Sequence, residues 1–259
     1  IMDETQSPLP VKGRGAVSNH TGRFEPHERQ AADDGWDLDD PDVTPLRTQV
    51  TFETPRTIIA RNTSPDIPFD RSINPYKGCE HGCVYCFARP SHAYMGLSPG
   101  LDFESRLFAK PNAAALLERE LSKPSYRPRT MHLGSNTDPY QPIEKTHRIT
   151  RGILDVLSAF NHPVSITTKS AMVCRDIDVL APMAAKGLVN VALSLTSLDN
   201  KLARALEPRA PTPQKRLDAM ATLTAAGIPV AVMAAPMIPV LNDAELERIL
   251  ERAAEHGAL

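Results

Sequence analysis

Four apolar runs, Met131-His-Leu133, Val164 to Thr168, Val189 to Leu195 and Val230 to Ala234, each give way to a helical pattern before the next begins. This recurrence constrains the fold more than any other feature. Parallel neighbours need a long crossover between them, and a helix is the usual one. Runs this apolar suit strands covered by helices, so a parallel sheet is expected, either open or closing toward a barrel. A first strand at Ser72 to Tyr76 makes five β-α units. The fifth helix ends with the chain at Leu259, so a sixth strand is expected to be missing and the core to be C-terminally truncated.

The helices carry their own punctuation. Pro111 and Pro213 sit where a first-turn proline is tolerated, Thr212 and Asp176 are expected N-caps, and Gly187, Gly227 and Gly257 fit helix ends. From Asn242 to His256, the residues Leu246, Ile249, Leu250, Ala253 and Ala254 form the stripe of an amphipathic helix. The chain before this core reads differently. Residues 1–44 are polar, with Asp33, Asp34, Asp37, Asp39, Asp40 and Asp42 around the only tryptophan, Trp36. Such a segment buries too little apolar surface to offset its ordering entropy, so it is expected to be an acidic, mostly disordered extension; the alternative is that Trp36 and Phe24 anchor it on the barrel surface. Val50, Phe52 and Ile58-Ile59 suggest a β-hairpin lead-in over 45–70, and the core occupies 71–259.

The chain has 259 residues, 41% of them hydrophobic, enough for one large core or a single α/β barrel with a tail. No segment approaches the roughly 18 consecutive apolar residues that cross a bilayer, so a soluble, cytoplasmic protein with no membrane partner is expected. A formal charge of -2 gives the whole chain no strong nucleic-acid footprint.

The chemistry concentrates at Cys79-Glu-His-Gly-Cys83-Val-Tyr85-Cys86, a C-x3-C-x2-C run. Three thiolates at this spacing can hold three irons of a [4Fe–4S] cube and leave the fourth open to a ligand. With His81 they could instead form a Cys3His zinc site, though structural zinc sites usually use two separated ligand pairs. A disulfide framework fits poorly with an odd trio of cysteines. Cys174 lies far off in an apolar stretch and reads as an inert core thiol.

In β-α folds of this kind the working residues lie at the C-terminal ends of the strands. There the chain places the cysteine loop after strand one, Gly134-Ser135-Asn136-Thr137-Asp138 after strand two, Thr168-Lys169 after strand three and Ser194 with Thr196 and Ser197 after strand four. A lysine ending a buried strand is costly unless an anion meets it or its stem carries the charge to water.

These residues resemble the radical S-adenosylmethionine (SAM) superfamily. The cysteine run is similar to its cluster motif, and residues from about 71 to 259 to its core fold, a (β/α)6 barrel that here would be partial. Gly134 to Glu144, Thr168-Lys169, Leu193-Ser194, Leu206-Glu-Pro-Arg209 with Arg216, and Gly227 to Pro236 look most like the DNA repair photolyase branch related to spore photoproduct lyase. The resemblance implies a [4Fe–4S] cluster on Cys79, Cys83 and Cys86, and reductive cleavage of SAM to a 5′-deoxyadenosyl radical. It implies Tyr85 beside the adenine, Ser135, Asn136 and Thr137 near the SAM amino group, and Lys169 and Ser194 near its carboxylate or ribose. It implies a flavodoxin- or ferredoxin-type electron donor, and no catalytic residue is assigned for the substrate step.

The chain also departs from the lyase, in which a cysteine on the loop after strand two returns a hydrogen to the product radical; Ser135 stands at the matching place. His132, His147, Arg148, Arg151, Arg175 and Arg209 could form a phosphate-facing rim for a nucleic-acid substrate. Two other readings stay open: a non-catalytic iron–sulfur fragment or scaffold, and a zinc-binding nucleic-acid module.

Overall fold

The computed structural model describes residues 13–25 and 46–259. Its elements run β1 (Gln49–Phe52), β2 (Ile59–Arg61), β3 (Arg71–Ile73), β4 (Tyr76–Lys77), α1 (Leu101–Ser105), β5 (Arg106–Ala109), α2 (Ala113–Leu121), β6 (Met131–Leu133), α3 (Glu144–His147), α4 (Ile149–Ala159), β7 (Val164–Thr168), α5 (Ile177–Ala184), β8 (Val189–Ser194), α6 (Asn200–Leu206), α7 (Pro213–Ala225), β9 (Val230–Met233) and α8 (Leu246–Glu255). Single 3-10 segments precede α1, α5 and α8.

The main sheet has the order β2-β3-β6-β7-β8-β9. From β3 onward every pairing is parallel, and β2 runs antiparallel along β3. Register rows show how the core forms. Met131, Val164 and Val189 lie side by side, as do Leu133, Ile166, Val191 and Val230, and all are buried. Against this face pack Ile153, Leu154 and Leu157 of α4, Leu180 and Met183 of α5, and Leu217, Met220 and Leu223 of α7. Each such side chain contributes about 1.5–3 kcal/mol on burial.

The strand runs are less continuous than they read. The alternate row, His132, Ser165 and Asn190, lies on the opposite face, with Asn190 exposed and Ser165 donating to Asn190 Oδ1 at 2.8 Å. The Phe69 ring stacks on His132 at 4.2 Å and covers part of that face. The pattern is the one-sided alternation of a sheet with a single packed face, so full helical cover of both faces is not what these strands encode.

Three expectations for the first third of the chain change. The 45–70 hairpin does not form: β1 pairs with β5 in a separate three-stranded sheet of order β1-β5-β4, while β2 turns back onto β3. Local pattern cannot choose a strand's partner, and here the partner of β1 lies more than fifty residues away. The first strand, expected at Ser72 to Tyr76, divides at Asn74-Pro75 between the two sheets. Of the 1–44 extension, residues 13–25 are not disordered but pack on the core, as described below; Trp36 lies outside the described residues.

Helix signals mostly hold. Thr212 caps α7 by accepting from Lys215 N with Pro213 in the first turn. Gly187 and Gly227 follow α5 and α7 at φ 67° and 77°. Asp176 does not cap α5 with its side chain; its carboxylate instead takes Tyr140 and two arginines. On α8, Ile249 and Ala253 are buried while Leu246 and Leu250 remain exposed. Among the described residues no helix is long and apolar enough to cross a membrane.

Candidate functional site

The cysteine loop follows β4 and is tied down from several elements. Cys79 N donates to Phe103 O at 2.9 Å, Val84 N to Leu206 O at 3.0 Å and Arg209 N to His81 O at 3.2 Å. Gln141 spans the loop entrance, accepting from Glu80 N and donating to Gly78 O, both at 3.0 Å. Arg89 holds the far side. It donates from Nε and Nη2 to Cys83 O, and its Nη2 also meets the fully buried Glu104 carboxylate at 2.6 Å.

Residues 13–25 lie along this loop as a strap. Glu104 accepts from Gly15 N and Ala16 N at 3.0 and 2.9 Å, and the buried Arg14 donates to Glu104 O at 2.6 Å and Leu46 O at 2.8 Å. Asn19 and Asp102 exchange two hydrogen bonds, and the Phe24 ring sits 4.8 Å from Tyr94. Gly15 is required by close approach: a Cβ there would lie 1.9 Å from Gly82 O.

All three loop thiols are free; Cys79 and Cys83 are buried and Cys86 half-buried. Burial pushes all three thiols up, Cys83 to about 12, and Cys79 feels the charges of Cys83 and Cys86. The Lys169 ammonium, close to the loop over the Tyr85 ring, acts on Cys83 in the opposite sense. Cys174 lies elsewhere, half-buried against the core with Sγ 3.8 Å from Ala219 O, as an inert core thiol would. Among the described residues no three His, Cys, Asp or Glu side chains converge as the ligands of a single metal ion. A cube asks for something different, since its three thiolates each take a separate iron. Three free soft donors on one short loop, largely shielded from water and with the fourth cysteine elsewhere in the core, fit that group.

The polar strand ends form two groups. In the first, Ser135 Oγ donates to Asn74 Oδ1 at 3.2 Å and Thr137 Oγ1 to Tyr76 O at 3.0 Å, with half-buried Asn136 between them. In the second, Tyr85 and Lys169 meet a residue without an assigned role, Glu207, and Ser194 joins them through Arg216. The Glu207 carboxylate accepts from Tyr85 OH, from Thr196 Oγ1 at 2.9 Å and from Arg216 Nη2, and lies 3.5 Å from Lys169 Nζ. Arg216 also donates to Ser194 O at 3.0 Å. Lys169 Nζ sits 5.6 Å from the centre of the Tyr85 ring.

Asp138 joins the groups. It accepts from Tyr140 N and Thr168 Oγ1 with one oxygen, from Lys169 N with the other, and stands 3.4 Å from His81 Nδ1. It is therefore a turn-capping aspartate that also ties β6 to β7. Burial alone would raise its carboxyl, but His81 and these donors outweigh that and hold it at about 2. Glu207 behaves alike: burial raises it, Arg216, Lys169 and Tyr85 lower it further, and it rests at about 2.

Lys169 therefore neither reaches into water unaided nor depends on a ligand alone, because its partner is the protein's own carboxylate. Only the sequence stretch Leu206-Glu-Pro-Arg209 signalled Glu207, and it named no role. The basic rim does not assemble. Arg151 pairs with Asp155, Asp176 and Asp178, Arg175 with Glu144 and Asp176, and Arg209 with Glu80, while His132 and His147 contact Phe69 and Phe52. Carboxylates, some adjacent in sequence and some brought in by the fold, pair with Arg151, Arg175 and Arg209.

The chain is similar to known proteins in sequence and in shape. An uncharacterized protein of Mycobacterium tuberculosis is 41% identical over 214 residues, covering 81% of this chain and 63% of that protein. An uncharacterized protein of Methanocaldococcus jannaschii is 32% identical over 173 residues, covering 67% and 62%. The chain thus spans less than two thirds of the length of these relatives. A mutant of spore photoproduct lyase superposes with a TM-score of 0.58 at 16% identity, over 81% of this chain and 58% of the lyase. A double mutant of the same lyase, with bound AdoMet and dinucleoside spore photoproduct, superposes with a TM-score of 0.58 at 15% identity, over 80% and 57%. At these identities the likeness is one of fold. The model of the radical SAM superfamily matches residues 73–253, well over half of the chain, and this chain belongs to the radical SAM superfamily.

Proposed function

We propose that Cys79, Cys83 and Cys86 hold a [4Fe–4S] cluster and that the two strand-end groups bind SAM, making the chain the core of an enzyme that abstracts hydrogen from its substrate. When bound, the cluster would supply the one-electron chemistry for reductive cleavage of SAM. The observation that carries this reading is the three-thiol loop with one partly exposed ammonium, Lys169, held over the Tyr85 ring of that same loop. The chain's own residues do the positioning. Arg89 and Gln141 set the loop backbone, Tyr85 forms part of the wall and backbone edge for the adenine, and Lys169 and Ser194 offer charge and a hydroxyl for a carboxylate or ribose. Ser135 and Asn136 face an ammonium on the other side, and Thr137 supports them by holding the Tyr76 backbone. The five-strand parallel sheet is read as part of a six-unit barrel, and a flavodoxin or ferredoxin as the electron donor.

For the substrate, the dinucleoside lesion bound to the superposed lyase makes a nucleic-acid lesion the first compound to test. Ser135 donates a hydrogen atom far less readily than a thiol, so product-radical quenching here would use another donor. Anaerobic reconstitution followed by dithionite is expected to yield 5′-deoxyadenosine, and Cys83→Ala to abolish both cluster retention and that product. A wild-type protein that holds a cluster and releases no 5′-deoxyadenosine would leave the scaffold reading; one zinc with no iron or sulfide would leave the zinc module.

A further inference from the structure

One buried carboxylate gathers side chains from four other segments. Glu207, at the end of α6, meets Tyr85 of the cysteine loop, Lys169 after β7, Thr196 after β8 and Arg216 of α7. Each guanidinium nitrogen of Arg216 has a protein partner, Nε on Pro211 O at 2.9 Å, Nη1 on Ser194 O and Nη2 on Glu207, and the side chain is buried away from any ligand. Lys169 differs, because a single carboxylate oxygen at 3.5 Å engages one of its three donors and the side chain is 17% exposed. The three charges, two positive and one negative, leave one positive charge in excess, carried where Lys169 emerges.

Lysine at a strand end extends its stem toward water unless something holds it back. Here the holder is Glu207, whose other bonds also fix the Tyr85 hydroxyl and, through Arg216, the Ser194 backbone. The geometry points to Glu207 as a positioning residue that draws the Lys169 ammonium over the Tyr85 ring and so sets the place at which a ligand carboxylate is met. This rests on the proposed assignment of Lys169 to SAM. Glu207 itself touches no ligand in this scheme and moves no proton.

The test uses the anaerobically reconstituted, unreduced protein, so that SAM binds without being cleaved, with iron and sulfide content measured for every variant. Glu207→Gln is expected to weaken SAM binding roughly tenfold, the scale of one charge-assisted contact, with the cluster retained. Lys169→Met is expected to do the same, and the double variant to be no worse than either single one, because both act through one ammonium. Glu207→Asp keeps a charge opposite Arg216, and hence the fold, but withdraws the carboxylate by one methylene; it too is expected to weaken binding. A second readout needs no ligand: in cluster-free protein, acetylation of Lys169 followed by mass spectrometry is expected to be several-fold faster in Glu207→Gln than in wild type. If Lys169→Met leaves the SAM affinity unchanged, the assignment of Lys169 under the proposed function fails. If Lys169→Met weakens binding while Glu207→Gln and Glu207→Asp do not, or if Lys169 acetylation is unchanged, the positioning role fails alone.

Discussion

At the scale of single residues, the Glu207–Arg216 pair has consequences apart from any ligand. Both side chains are nearly fully buried, so removing one strands the other. Replacing Arg216 by Met is expected to cost about 3–5 kcal/mol in urea unfolding at neutral pH. The pH dependence follows from the depressed carboxyls. Glu207 sits at about 2 in the folded protein against an ordinary value of 4.5, so the unfolded chain binds the proton more readily. Its contribution is complete above pH 4.5 and lost as pH falls toward 2, and Asp138 adds to the same acid limb. The difference between wild type and Arg216→Met should therefore shrink below about pH 4, as stability curves at several pH values will register. Sequence could place Lys169 at a strand end but could not supply its counter-charge, because Glu207 is 38 positions away and reaches it only once α6 folds back over the strand ends.

At the scale of elements, strand ends and loops are joined by backbone contacts that admit no side chain. Gly134 has φ 95°, and a Cβ there would lie 2.1 Å from Thr167 O, at the point where β6 passes β7 toward the site. Gly134→Ala is expected to destabilise the chain by more than about 2 kcal/mol, measured by thermal unfolding, since both the conformation and the space are denied. The strap makes a separate test possible. Gly15→Val would drive a branched side chain into Gly82 O and lift residues 13–25 from the cysteine loop. Arg14, buried in wild type, should then become a site for limited trypsin cleavage at a concentration that leaves the wild-type strap intact. Binary pattern located β6, β7, β8 and β9 because each is short, apolar and bounded by turn residues. It mispaired β1 and β2 because nothing local distinguishes a hairpin from two strands destined for different sheets.

At the scale of the whole molecule, the cysteine loop is where the small sheet, the large sheet and the strap meet, so occupying it should stabilise more than the loop. A ligand bound only by the native state raises stability by mass action. Cluster loading is expected to raise Tm by at least about 5 °C for a chain of this size, read by anaerobic scanning calorimetry, and Cys83→Ser to remove the shift. The order of the β-α units, the helix ends at Gly187 and Gly227, the Thr212 cap and the cysteine trio were all determined by sequence alone, because each depends on spacing or conformation within a few residues. Tertiary structure alone decided that residues 13–25 lie against the cysteine loop, that β1 joins β5, that Arg209 pairs with Glu80, and that Glu207 meets Lys169. Each of these joins residues far apart in the chain, where what selects a partner is the free energy of burying charge and apolar surface together, a quantity that exists only once the chain has closed on itself.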